Sequence, residues 1–153
     1  MKLLITFLIS MVPVIELRGA IPYGIHAEIE PWMACVFAIL GNLLPVPFIL
    51  LFIRRIFAWM RRFDRLRPIV DKLEKRASGK SAKVRQYELL GLFLFVAVPL
   101  PGTGAWTGSL IAALMEMRLK RALPTIALGV IAAGIAVTLV AVLGVEALSF
   151  FLG

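Results

Sequence analysis

The sequence predicts an all-α integral membrane protein. Two inverted repeats, each a re-entrant helical hairpin plus a transmembrane helix, are expected to be joined by a basic cytoplasmic amphipathic segment. Three observations carry this expectation. The 153 residues are 61% apolar and 17% charged, with a mean hydropathy of +0.95, whereas a soluble domain carries about 45–50% apolar and about 25% charged residues. Two uncharged runs are long enough to cross a bilayer, and the other apolar runs are about half that length. The net charge of +8 is concentrated in one segment. A soluble globular domain, a disordered chain and a fibrous repeat are excluded on composition.

Residues 54–88 hold twelve Lys and Arg against Asp64, Asp71, Glu74 and Glu88, and the remaining residues sum to zero. In a soluble chain an isoelectric point near 10.4 would suggest nucleic acid. Between apolar spans a basic block marks the cytoplasmic loop, so the expected partners are membrane lipids and an amphiphilic substrate, with no nucleic acid. Cys35 and His26 are each alone of their kind, which leaves no internal disulfide and no metal site, and no cofactor is expected.

Taken in order, Lys2 followed by Leu3 to Val14 resembles a signal sequence. Arg18 stands where a small residue would be cleaved, so the segment is expected to stay in the mature chain. Its apolar run is only about ten residues long before Pro13, too short for a hydrocarbon core of about 30 Å at about 1.5 Å per residue. Residues 32–53 contain no charge over 22 residues and form the first span, with a kink expected at Asn42, Pro45 and Pro47 that faces protein. Residues 57–76 place Trp59, Phe63, Leu66, Val70 and Leu73 at helical spacing among basic residues, as an interfacial helix does. Ala77 to Lys83 reads as a linker. Leu89 to Val98 and Ala105 to Met115 are again short, and PLPGTG (Pro99 to Gly104) separates them. Residues 122–144 are uncharged over 23 residues and form the second span, with Gly129, Ala133, Gly134 and Ala136 suited to close helix contact.

Segment 89–117 leaves one basic cluster and returns to another at Arg118, Lys120 and Arg121. If both are cytoplasmic, its 29 residues enter and leave on one side as a hairpin. Span 32–53 then runs inward and span 122–144 outward, which inverts the two halves. Weak internal identity agrees: Ser10–Pro13 recurs at Val96–Pro99 with an offset of 86, and Ile39–Gly41 at Ala127–Gly129 with an offset of 88. Residues 1–153 form a single membrane domain, with repeat one at 1–53, the connector at 54–88 and repeat two at 89–153. Inverted repeats with broken helices are a transporter signature.

Two features can carry chemistry. Glu16 and Arg18 lie in the first hairpin beside Gly19 and Pro22, where a charge at membrane depth costs at least about 2.5 kcal/mol and demands a cavity or a partner. Glu16 suits a proton or cation, and Arg18 an anionic group such as phosphate. The plainer alternative is a structural ion pair. Pro13, Gly19 and Pro22 argue against regular helix here, and the second hairpin offers neither charge an ionisable partner. In that second hairpin Pro99, Pro101, Gly102, Thr103, Gly104 and Trp106 supply a special backbone turn, a hydroxyl, a flat wall and the anion-friendly start of a half-helix. Trp32 and Trp59 read as interface anchors. Signatures of metalloprotease, hydrolase and nucleotide-binding sites are missing, so no enzyme is expected.

The motif ELRGAIPYG (Glu16–Gly24), the Gly41-Asn42 pair, the basic middle and PLPGTGAWTGSLIAAL (Pro99–Leu114) together resemble the small multidrug export protein family over nearly the whole chain. The half from Phe95 to Gly144 is similar to the C-terminal half of the DedA (VTT-domain) membrane proteins. That similarity implies re-entrant hairpins and translocation of a lipid or lipid carrier, and the export family implies a transporter. Where the DedA pattern carries an arginine near the second hairpin, Gly102 to Gly104 stand here.

The expected function is a multi-pass inner-membrane protein that exports or translocates an amphiphile, as a homodimer, with Glu16 and Arg18 facing Pro99 to Trp106. A non-transporting scaffold whose basic segment binds anionic lipid is the rival from another class. A four-span small multidrug resistance exporter does not accommodate the +8 loop or the PLPGTG break.

Overall fold

A computed structural model describes residues 1–65, 67–69, 71–72, 82–100 and 102–152, with the side chains of Phe57, 82–86, Val145 and 147–152 left out. Seven helices of ten residues or more occur among them: α1 (Lys2–Met11), α2 (Glu16–His26), α3 (Pro31–Leu43), α4 (Pro45–Met60), α5 (Ala82–Ala97), α6 (Ala105–Leu114) and α7 (Leu119–Leu152). No strand occurs among the described residues.

Helix ends follow local chemistry. Val12 precedes Pro13 and is extended (φ −72°, ψ 127°), which stops α1, because a proline disfavours helical geometry in the residue before it. Pro45 and Pro47 cannot donate to the preceding turn, so α3 breaks at Leu44 and α4 resumes, giving the expected kink with Gly41, Asn42, Pro45 and Val46 all buried. Both α2 and α6 close with paired reverse bonds. Glu28 donates to the Ile25 carbonyl and Ile29 to that of Gly24, both at 3.0 Å, and Glu116 and Met117 repeat the arrangement on Ala113 and Ala112. Glu28 (φ 64°) and Glu116 (φ 53°) take the left-handed position that glycine usually fills.

Pro31–Met60 and Leu119–Gly144 are long and apolar enough to cross a membrane, reaching about 45 and 39 Å at about 1.5 Å per residue. Both extend beyond the runs 32–53 and 122–144, because the helices continue into basic sequence. Helices α1 and α6 and the apolar stretch Tyr87–Ala97 are shorter. Two elements differ from expectation. The basic segment is not one helix over 57–76: α4 ends at Met60 in a turn where Arg62 and Phe63 bond back three residues, and helix reappears only at 67–69. Residue 88 does not end the connector either, since α5 already runs from Ala82. Residues 77–81 of the expected linker lie outside the described residues.

Small residues fill the interior, and large apolar ones face outward. Ala20, Ala34, Ala38, Ala105, Ala112, Ala122 and Ala133 are buried, whereas Leu128, Ile135, Leu139 and Leu143 are each more than half exposed. That inversion is how a membrane protein packs, because lipid accepts the leucines and short side chains let backbones approach. A Cβ on Gly41 would collide with the Phe7 backbone, and one on Gly129 would lie 2.8 Å from Val96 Cβ and 3.1 Å from the Phe93 carbonyl oxygen. The first helix of each hairpin therefore meets its neighbouring span at a glycine.

The two ends of the α3–α4 rod are marked by ion pairs. Lys2 and Glu28 pair at 3.7 Å near the start of α3. Arg61, just past the end of α4, pairs with Glu116 at 3.5 Å, and Arg54 donates to the Met117 carbonyl. Helix boundaries also reproduce both sequence offsets. Helices α1 and α5 end 86 residues apart, while α2 and α6 end, and α3 and α7 begin, 88 apart.

Candidate functional site

Two interruptions, Val12–Ile15 after α1 and Val98–Gly104 after α5, bring their flanking residues together in the interior. Each interruption leaves backbone groups without helical partners. At the second, the carbonyls of Val98 and Leu100 are exposed at the end of α5, and the amides of Ala105 and Trp106 at the start of α6.

Glu16 and Arg18 supply what those groups lack. Glu16 is 3% exposed, and its Oε1 accepts the Trp106 main-chain N–H at 3.0 Å. A carboxylate at a helix N-terminus is favoured by the free amides and the helix dipole. The buried Asn42 side chain approaches the same carboxylate. Arg18 donates to the Leu100 carbonyl, to the Val98 carbonyl at 3.4 Å and to Thr103 Oγ1 at 2.6 Å. Thr103 Oγ1 in turn lies 2.9 Å from the Val98 oxygen and 2.8 Å from that of Leu100. Trp106 Nε1 donates to the Met11 carbonyl at 3.2 Å, tying α6 back to the end of α1.

Two expectations are corrected by this geometry. The charges do find partners in the second hairpin, because main-chain amides and carbonyls serve in place of ionisable side chains. Glu16 and Arg18 are joined to each other by no ion pair among the described residues. Nor does the ELRGAIPYG stretch avoid helix: Glu16–His26 is helical with Pro22 inside it. Proline there forfeits one bond, to the Arg18 carbonyl, which a short helix can absorb. Backbone strain instead gathers just ahead, at Val14 (φ 78°) and Glu16 (φ 49°).

The remaining predicted residues divide into those at the junction and those beside it. Gly104 (φ 123°) caps α6, and a Cβ there would fall on the Glu16 carboxylate. Thr103 and Trp106 belong to the same contact. Gly19 gives room to the Ile15 side chain, 2.5 Å from where its Cβ would be. Gly102 (φ 80°) shapes the turn and faces open space. Pro22 and Pro99 line a cavity with Arg18. Pro101 lies outside the described residues. Asn42 was read from sequence as part of the kink and not as a site residue. An amide in the middle of an uncharged span is the signal that pointed to it.

Arg18 Nε and Asn42 Oδ1 are buried without a hydrogen-bond partner. The arrangement can thus hold a carboxylate in protein amides and still present unused polar atoms beside it. No group of three or more potential metal ligands occurs among the described residues.

Comparison with known proteins gives one match: the family described as "Putative small multi-drug export protein" fits residues 16–136. The matched stretch opens on Glu16 and contains the second interruption. No curated protein and no solved structure matches the chain.

Proposed function

We infer the function from the premise that the chain belongs to the small multidrug export protein family: it is a multi-pass carrier that moves an amphiphile across the inner membrane. The observation that carries this reading is the Glu16 carboxylate seated on the start of α6, where two interrupted hairpins meet in the interior of a membrane protein. A scaffold needs no polar junction at that depth, whereas a carrier needs polar groups that can exchange one partner for another.

Inverted repeats with re-entrant hairpins are part of the reading. The 86- and 88-residue offsets of the helix ends support repetition. Inversion is supported by the turn after α2 meeting the start of the α3–α4 rod while the turn after α6 meets its far end. The basic groups Arg54, Arg61, Arg118 and Lys120 surround one cavity at that far end, which supports a cytoplasmic assignment for it. A second copy is proposed to cover the open sides of so small a unit.

The test is flux of a fluorescent amphiphile in vesicles holding the purified chain. Flux above empty vesicles, lost in Glu16→Gln with an unchanged size-exclusion profile, is the expected result. Undiminished flux in that variant, or none in the folded parent chain, overturns the reading, the second outcome in favour of the scaffold.

A further inference from the structure

Two open cavities flank the junction. One, of about 810 Å³, lies between α2 and α7 and is lined by Arg18, Pro22, His26, Pro99, Val137 and Val140 among others. The other, of about 930 Å³, lies along α4 and is lined by Met11, Phe48, Phe52, Arg54, Arg55 and Trp106 among others, including Ile49. A shift of 88 residues carries Arg18 to Trp106, Ile49 to Val137 and Phe52 to Val140, so the two cavities are built on corresponding positions. They lead away from the junction toward opposite ends of the α3–α4 rod. The first extends to His26, near the turn that holds Glu28, and the second to Arg55 and Ala58, near Arg61.

Only the contact of Glu16 with Gly104 and Trp106 separates their inner ends. Arg18 lines the first cavity two residues from Glu16, and Trp106 lines the second while its N–H holds the carboxylate. Both cavities join an apolar wall to a cation, and no acidic side chain lines either among the described residues. At the first, the partnerless Nε of Arg18 is a buried donor that still lacks an acceptor.

The geometry points to one path made of two half-sites for an anionic amphiphile, with its acidic head at Arg54 and Arg55 on one side and at Arg18 and His26 on the other, and the Glu16–Gly104–Trp106 contact as the septum between. This rests on the carrier reading and narrows its substrate. A phosphate or similar head matches guanidinium donors at both ends, and the apolar walls take the chain. A cationic head would meet like charge at each half-site.

Trp106 provides the readout. In the full-length chain carrying Trp32→Phe and Trp59→Phe, it is the sole tryptophan. The protein is held in zwitterionic vesicles and titrated with bromododecyl phosphate, bromododecyl maltoside and bromododecyl trimethylammonium, and inorganic phosphate is added as competitor. The expected result is saturable quenching by the phosphate amphiphile, half-saturating at least tenfold below the other two. Arg55→Gln should raise that half-saturation about tenfold, and inorganic phosphate should compete only weakly. For the other half-site, His26→Gln and Arg18→Lys should slow flux of the same phosphate amphiphile while leaving Trp106 quenching intact.

Equal quenching by all three heads overturns the inference, as does indifference to Arg55→Gln. Competition by inorganic phosphate as strong as by the amphiphile also overturns it, in favour of a small-anion site. The carrier reading fails separately. Head-selective quenching without flux of any amphiphile removes transport and keeps the half-site, whereas flux of the cationic amphiphile alone keeps transport and removes the anionic substrate.

Discussion

The Glu16 carboxylate accepts the main-chain N–H of Trp106 at 3.0 Å across a 90-residue separation in sequence. It caps a helix to which it does not belong. Two residues on, Arg18 does the converse, donating to the Leu100 and Val98 carbonyls beyond the end of α5. One short stretch of α2 thus meets both sets of backbone groups that the second interruption leaves unpaired. This is a means of keeping irregular backbone inside a membrane protein.

Gly104→Ala is expected to disable the protein at the junction. Gly104 has φ 123°, and the added Cβ would fall on the Glu16 carboxylate. A non-glycine residue in such a conformation costs about 1–3 kcal/mol, and the displaced carboxylate loses its seat as well. Gly134→Ala is the control. Its Cβ would meet the flexible Ile39 side chain, with Cδ1 at 2.8 Å, which can rotate away. Flux and thermal unfolding of the two variants check this. Normal flux in Gly104→Ala would show that the carboxylate seat is dispensable.

Glu16→Gln and Arg18→Ala should fail in different ways. Glutamine still offers an oxygen to the Trp106 amide, so that variant folds with a loss of about 1 kcal/mol, the charged part of the hydrogen bond, while flux disappears. Arg18→Ala strips donors from the Val98 and Leu100 carbonyls and from Thr103, and unfolding should come earlier by about 2 kcal/mol. Since the two side chains form no ion pair, the uncharged double variant should be no more stable than Arg18→Ala alone. Thermal unfolding by intrinsic fluorescence checks this, and rescue in the double variant would restore the ion-pair account.

Much of this junction was legible in the sequence and part was not. Charges without side-chain partners in an apolar chain, and a Pro/Gly cluster in the other half, each announced a special site, because both are costly in lipid. That they meet could be suspected only from the internal offsets. What no residue pattern displays is that their partners are main-chain atoms: every residue has an amide and a carbonyl, so Leu100 and Val98 carry no mark. Helix in Glu16–His26 was misjudged for a related reason. Gly19 and Pro22 weaken a helix by local propensity, yet Leu17, Ala20 and Ile21 are buried, and tertiary packing outweighs propensity. The end of the interfacial helix near Met60 escaped because Trp59 and Phe63, spaced for one helix face, instead meet edge to face across the turn with ring centroids 4.8 Å apart.

Glycines at helix crossings should separate cleanly from glycines in open positions. A Cβ on Gly41 would strike the Phe7 backbone, which cannot rotate aside, whereas one on Gly91 in α5 would meet nothing within 4 Å. Gly41→Ala is therefore expected to destabilise by about 1–3 kcal/mol through forced separation of α1 and α3. Gly91→Ala should stabilise by about 0.5–1 kcal/mol, because alanine has less backbone freedom to lose. Midpoints of thermal unfolding in the same detergent would read both. Equal shifts would mean that α1 and α3 are not held at that crossing.

The orientation of the two ends yields the last prediction. Single cysteines at Arg62, Lys120 and Glu30, introduced after Cys35→Ala, should label from two sides of intact cells. Arg62 follows the end of α4 by two residues, and Lys120 opens α7 beside the Arg61–Glu116 pair, so both belong to one end of the rod. Glu30 precedes α3 at the other end, in the turn whose Glu28 meets Lys2. Basic residues crowd the first end and acids the second, which sets the first in the cytoplasm. A membrane-impermeant maleimide should therefore reach position 30 from outside and positions 62 and 120 only after permeabilisation. Labelling of 62 and 120 from opposite sides would mean that the chain between them crosses the membrane an odd number of times, which a re-entrant second hairpin forbids.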